Sequence, residues 1–152
     1  MRDGGVDFIL VGGLAAVLSG APVDTYDVDI VQSRERENVE RLLAVLNSLD
    51  AIFRIQPERR LRPTASYVSG PGHLNLVTRY GPLDVLGTIA DGLAYGDLLP
   101  HSREVDIGSG LMVRVLDLET LIKIKEHVGG DKDRLVLPIL RRTLEEKKKL
   151  GQ

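Results

Sequence analysis

The run Asp27-Val28-Asp29-Ile30-Val31 alternates acidic and apolar residues, and no other segment constrains the fold as much. Alternation is the period of a β-strand, whose successive side chains point to opposite faces. Asp27 and Asp29 then share a face, about 6.6 Å apart along the backbone. Two carboxylates on one face repel each other, and apolar neighbours make it harder to charge both. A divalent cation relieves such a pair: magnesium accepts carboxylate oxygens and keeps water or phosphate in its other positions. The plain alternative is an edge strand whose two acids face solvent. Either arrangement requires a sheet.

The segments around that run extend the pattern. Asp7 to Val11 is a short apolar run closed by Gly12-Gly13, and Leu14 to Ser19 follows with Ala and Leu. The expected order is a buried strand, a glycine turn and a short helix stopped by Gly20-Ala21-Pro22. A glycine pair between strand and helix lets the backbone approach a phosphate, while the helix amino end favours negative charge. Taken alone, it is an ordinary tight turn. A further acid, Asp84, lies within the apolar run Leu83 to Leu86, where a carboxylate is costly unless paired or bound to metal.

The rest of the chain supplies mixed helices and strands. Ser33 is placed to cap a helix whose apolar stripe is Val39, Leu42, Leu43, Leu46 and Leu49. Ala51 to Ile55 reads as a strand, and Gln56 to Gly72, with its three prolines, as a loop or hairpin with a mobile tip. His73 to Thr78 and Pro82 to Gly87 form a hairpin across Tyr80-Gly81. Asp91 to Leu99 reads as a short helix. Glu104 to Ile107 and Leu111 to Leu116 flank the turn Gly108-Ser109-Gly110. Asp117 caps a helix through Val128 that Gly129-Gly130 ends. Asp131 or Asp133 opens a last helix, which Pro138 kinks or restarts. The expected fold class is α+β, a mixed sheet flanked by helices and closed by a C-terminal helical hairpin. Residues 1–116 would form the core and residues 117–152 the helices of a single domain, as 152 residues allow.

Composition narrows the function. A net charge of −2 argues against a protein that coats nucleic acid, so any such contact is local. Without cysteine there is no disulfide, thiolate zinc site or cysteine nucleophile, which suits a reducing cytoplasm. No apolar run reaches the roughly 20 residues of a membrane helix. With aromatics at 4%, the core must be built from Val, Leu, Ile and Ala.

Val11-Gly12-Gly13-Leu14-Ala15-Ala16, then Gly20, Thr25, Asp27, Val28 and Asp29, resembles the minimal nucleotidyltransferase domain of the polymerase-β-like superfamily. The chain is most similar to small bacterial proteins grouped with AbiEii-type toxins. Leu118 to Lys125, followed by Lys132-Asp133, is similar to the tail of the same group. The resemblance implies a nucleotidyltransferase fold that moves a nucleoside monophosphate from an NTP to a hydroxyl. It assigns Gly12 and Gly13 to the triphosphate, and Asp27 and Asp29 to two magnesium ions, about 3.5–4 Å apart in such sites. Asp84 completes the metal set and is a candidate acceptor of the attacking hydroxyl's proton. Lys125, which fits the pattern better than Lys123, is a candidate phosphate contact.

The implied acceptors are a tRNA 3′ end, a protein hydroxyl or a small molecule, with a cognate antitoxin as a further partner and no membrane. The chain departs from the group at Val23, where an arginine is usual, and at Leu14, where many members carry serine. It also begins only a few residues before its first strand, where relatives carry a helix. Val23 favours the alternative, a degenerate module that binds nucleotide or a partner without turnover. Retention of all three acids favours the enzyme.

Weaker candidates remain. Arg54, Arg59, Arg60 and Arg62 make one loop basic, enough to touch RNA or nucleotide phosphates, though a plain solvated loop is the favoured reading. Lys147-Lys148-Lys149 suits a helix carboxyl end. His73, His101 and His127 have no metal-ligand spacing and are expected to be structural or exposed.

Overall fold

A computed structural model describes residues 5–23, 27–128 and 131–150, with side chains described except those of residues 128 and 131–134. Thr25, the Gly129-Gly130 stop and the side chains of Lys132 and Asp133 therefore lie outside the described residues. Seven strands form one mixed sheet in the order β3-β4-β5-β2-β1-β7-β6. They are β1 (Phe8–Val11), β2 (Val28–Gln32), β3 (Ile52–Phe53), β4 (His73–Thr78), β5 (Gly81–Leu86), β6 (Ser102–Asp106) and β7 (Met112–Leu116). The helices are α1 (Gly12–Leu18), α2 (Arg36–Ser48), α3 (Ala65–Val68), α4 (Tyr95–Leu98), α5 (Leu118–Val128) and α6 (Asp131–Lys149). The α+β class and the closing pair of helices match the sequence expectation, and α5 packs against α6.

Register explains where the core sits. Residues opposite one another on neighbouring strands share a face. Leu74, Val85, Ile30, Leu10 and Val115 align across five strands, and all are buried. From α2, Val39, Leu42 and Leu46 are buried in the same core, as its helical stripe requires. Asn38 joins that helix to the sheet: its buried amide accepts from Asp7 N at 2.7 Å and donates to Ser33 O at 2.7 Å and Asp7 O at 3.0 Å.

Several local expectations need correction. Ser33 does not cap α2, because the chain stays extended to Glu35 and the buried Ser33 Oγ only receives a long 3.4 Å bond from Glu35 N. Leu49 caps the end of α2 rather than extending its stripe. The strand expected over Ala51 to Ile55 shrinks to two residues, since pairing with β4 covers only Ile52 and Phe53. The Gln56 to Gly72 segment holds a 3₁₀ turn (Pro57–Arg59) and α3, pinned by Gln32 Nε2 donating to Val68 O at 3.0 Å. Pro138 neither ends nor restarts α6, which runs through it. Asp117 does cap α5, accepting from Thr120 N at 2.8 Å.

Candidate active site

The site forms where β2, β5 and the β1–α1 turn meet. Parallel pairing sets Asp29 directly opposite Asp84, and antiparallel pairing sets Val11 opposite Asp29 and Asn75 opposite Asp84. Neighbouring strands lie about 4.8 Å apart, so the two carboxyl groups, which share a face, are brought together by register alone. The row passes from buried Val11 through the half-buried acids to exposed Asn75. That gradient leaves one end of the acid pair dry and the other open.

Burial is the main cause that pushes Asp29 up to about 7, followed by its hydrogen bond with Asp84 and the nearby charges of Asp84 and Asp27. Arg54 acts in the opposite direction. Two carboxyl groups share a hydrogen bond only when one is protonated, and Asp29 is the one positioned to hold that proton. Its Oδ1 is buried with no hydrogen-bond partner. A buried acceptor without a donor is costly in a water-free setting.

Gly12 explains how the acid fits. Its φ is +69°, a left-handed conformation suited to glycine, and a Cβ there would lie 2.3 Å from Asp29 Oδ2. The turn thus leaves a space that the Asp29 carboxyl fills. Gly13 follows in the first turn of α1, so the helix includes the glycines rather than starting after them. Asp27 precedes β2, is half-buried and acts on Asp29 through its charge. Lys125 is half-buried on α5, the helix that packs against α1, while Lys123 is exposed and pairs with Glu119 at 3.6 Å. Val23, at the position of the missing arginine, packs partly buried against the core.

Arg54, a weak phosphate-contact candidate in sequence, was not legible as the partner of Asp84. In sequence it stands with Arg59, Arg60 and Arg62, but the fold separates them. Arg60 and Arg62 both clasp Asp50 at the surface, which holds the Asp50 carboxyl below its usual range. Arg54 instead continues from β3, donates its backbone N–H to Asn75 O at 3.0 Å and ion-pairs with Asp84. A two-residue edge strand and its register were needed to see this, and no local signal marks them.

The carboxylates suit a divalent cation on chemical grounds. An unsatisfied buried oxygen on Asp29, a second carboxyl beside it and a nearby third acid are hard ligands in search of positive charge. Among the described residues no three His, Asp or Glu side chains form a metal cage by themselves. A cation held there would take part of its ligand set from outside the protein.

Two cavities lie nearby or elsewhere. One of about 400 Å³ is bordered by Phe53, Tyr67, His73 and Asn75, one strand from Asp84. Another of about 640 Å³ lies between the 90–101 segment and α5, and none of the three acids lines it. Its carboxylates are engaged locally: Asp117 caps α5, Asp97 accepts from Ala94 N, and Asp91 pairs with His127. His73 is exposed and bonds Thr88 O at 2.8 Å, so the histidines serve structure or surface as expected.

No protein-family profile matches the sequence, and no curated protein is similar enough to count as a relative. Solved structures do match. A candidate nucleotidyltransferase from Thermotoga maritima (TM1012) aligns at a TM-score of 0.56 and 19% identity, covering 96% of this chain and 86% of that one. The lincosamide antibiotic adenylyltransferase LnuA, solved with lincomycin, aligns at 0.59 and 16%, covering 92% and 89%. At such identities the likeness establishes the fold, which is that of the nucleotidyltransferases.

Proposed function

We propose that the protein transfers a nucleoside monophosphate from an NTP to a hydroxyl acceptor, with Asp29 and Asp84 at the reacting centre and Asp27 beside them. The observation that carries this is the in-register Asp29–Asp84 pair, with a buried, unpartnered Asp29 oxygen and Gly12 shaped around the carboxyl. Asp27, Asp29 and Asp84 would hold magnesium, which when bound supplies positive charge to the phosphates and lowers the pKa of the attacking hydroxyl. Asp84, on the side of the pair facing Asn75, would receive the hydroxyl's proton. Gly12 and Gly13 keep the backbone low beside the phosphates, and Lys125 is assigned to a phosphate oxygen. Little covalent work falls to the protein in such transfers, and placement dominates.

The resemblance to AbiEii-type toxins supports a macromolecular acceptor, an RNA 3′ end or a Ser, Thr or Tyr side chain, with an antitoxin as the partner of this chain. The lincosamide enzyme acts on a small molecule, so small acceptors belong in the same assay. A second reading, a nucleotide-binding module without turnover, draws on Val23 and on Arg54 already paired with Asp84.

The test is incubation with each α-labelled NTP, magnesium and a host extract, with RNA, protein and small-molecule fractions resolved separately. Label that disappears with Asp29→Ala and Asp84→Asn establishes transfer and names the acceptor class. NTP binding without label in any fraction establishes the binding module instead.

A further inference from the structure

The Asp84 carboxyl has a positive partner already, and that partner comes from the least anchored strand of the sheet. Arg54 follows β3, which pairs with β4 through only two residues at the sheet edge. Its backbone is tied to β4 by one bond to Asn75 O, and its side chain crosses in front of Asn75 to reach Asp84. The arginine side chain is 31% exposed and that of Asp84 16%, so the guanidinium lies at the mouth of the pair with solvent behind it. Arg54 also acts through its charge on Asp29. The guanidinium thus draws on a carboxylate that a divalent cation held by the acid pair would also use.

We infer that Arg54 is a placeholder cation: it holds Asp84 and competes with a divalent cation for that carboxyl of the Asp29–Asp84 pair. This rests on the proposed assignment of the pair to a divalent cation and deepens it. A carboxylate that ligates a cation can also accept from an arginine, but the two then share its charge and each weakens the other's hold. Arg54 is thus a positioning residue acting through Asp84, and it sets the threshold for cation loading.

The experiment measures Mn²⁺ binding to the whole chain at neutral pH without nucleotide, by titration calorimetry and by the loss of the free Mn²⁺ resonance signal. Arg54→Gln should bind Mn²⁺ at least about tenfold more tightly than the native protein, the worth of one charge-assisted hydrogen bond removed from competition. Arg54→Lys keeps the charge but lacks the planar fork that suits a carboxylate, so its affinity should fall between the two. It also serves if Arg54→Gln fails to fold. Equal or weaker binding by both variants overturns the placeholder role and leaves nucleotidyl transfer standing. Binding by none of the three proteins, with Asp84→Asn indistinguishable from them, overturns the placeholder and the metal-dependent transfer together.

Discussion

Asp29 gives the protein a pH dependence that can be worked out from its surroundings. Its carboxyl is raised from 3.8 to about 7, chiefly by burial and then by Asp84. In the unfolded chain the same group ionises near its ordinary value. Between those two pH values the folded state holds a proton that the unfolded state has lost, so stability falls as pH rises through the interval. A shift of about three pH units corresponds to about 4 kcal/mol at full strength. Asp29 retains some contact with solvent, and screening reduces this to about 2 kcal/mol.

Asp29→Asn removes the titration while its amide can still donate to Asp84. In chelated buffer the variant and the native protein should be equally stable near pH 4, where the unfolded carboxyl begins to lose its proton. At pH 8 the variant should be more stable by about 2 kcal/mol, a rise in Tm of about 4–8 °C for a chain of this size. Urea unfolding at several pH values measures the difference directly, and groups unaffected by the substitution cancel. A difference that stays constant from pH 4 to pH 8 would refute the claim that burial and Asp84 hold a proton on Asp29. Mn²⁺ added at pH 8 should stabilise the native protein and leave Asp29→Asn nearly unchanged, because only a ligand bound to the folded state adds stability.

Gly12→Ala should lower stability by roughly 2–4 kcal/mol through its positive φ and the contact of the new Cβ with Asp29, and should weaken Mn²⁺ binding as the carboxyl is pushed aside; unchanged binding by calorimetry would show that the turn does not shape the site. Leu42→Ala, at a fully buried position on α2, should cost about 2–5 kcal/mol in urea unfolding while Mn²⁺ affinity stays at the native value. Asn38→Ala leaves Asp7 N and Ser33 O without this partner, while Asp7 O keeps its bond from Ser33 N, and should cost about 2 kcal/mol, with hydrogen exchange at Asp7 accelerated. Gly87→Ala would place a Cβ 2.1 Å from Gly70 O, so the β5 exit and the loop before β4 must separate; a native-like Tm would show that they separate at little cost.

Much of the fold was legible because local periodicity and burial agree. The alternation around Asp29 is strand-like because one face must be apolar, and Ile30 is indeed fully buried. Val39, Leu42 and Leu46 mark a helix face because 3.6 residues per turn return them to one side. Where local preference was weak, neighbours decided. Ser33 has the chemistry of a cap but lies buried among extended residues, and β3 is short because only two of its residues find partners. Gly87 looked like the end of a strand, and only the approach of Gly70 shows why a side chain is excluded there.

By itself, the sequence determined that an acid pair on an apolar strand, a glycine turn and a later buried acid had to be accommodated in one mixed sheet. Residue type and spacing carry that information, since alternation sets faces and burial of a lone carboxylate demands a partner. The tertiary structure alone decided which carboxyls meet. Asp27 and Asp29 are near in sequence, but strand register sets Asp84 directly opposite Asp29 and brings Arg54 from the sheet edge to Asp84. Register depends on how distant strands align across the sheet, and a single chain read in order does not contain that alignment.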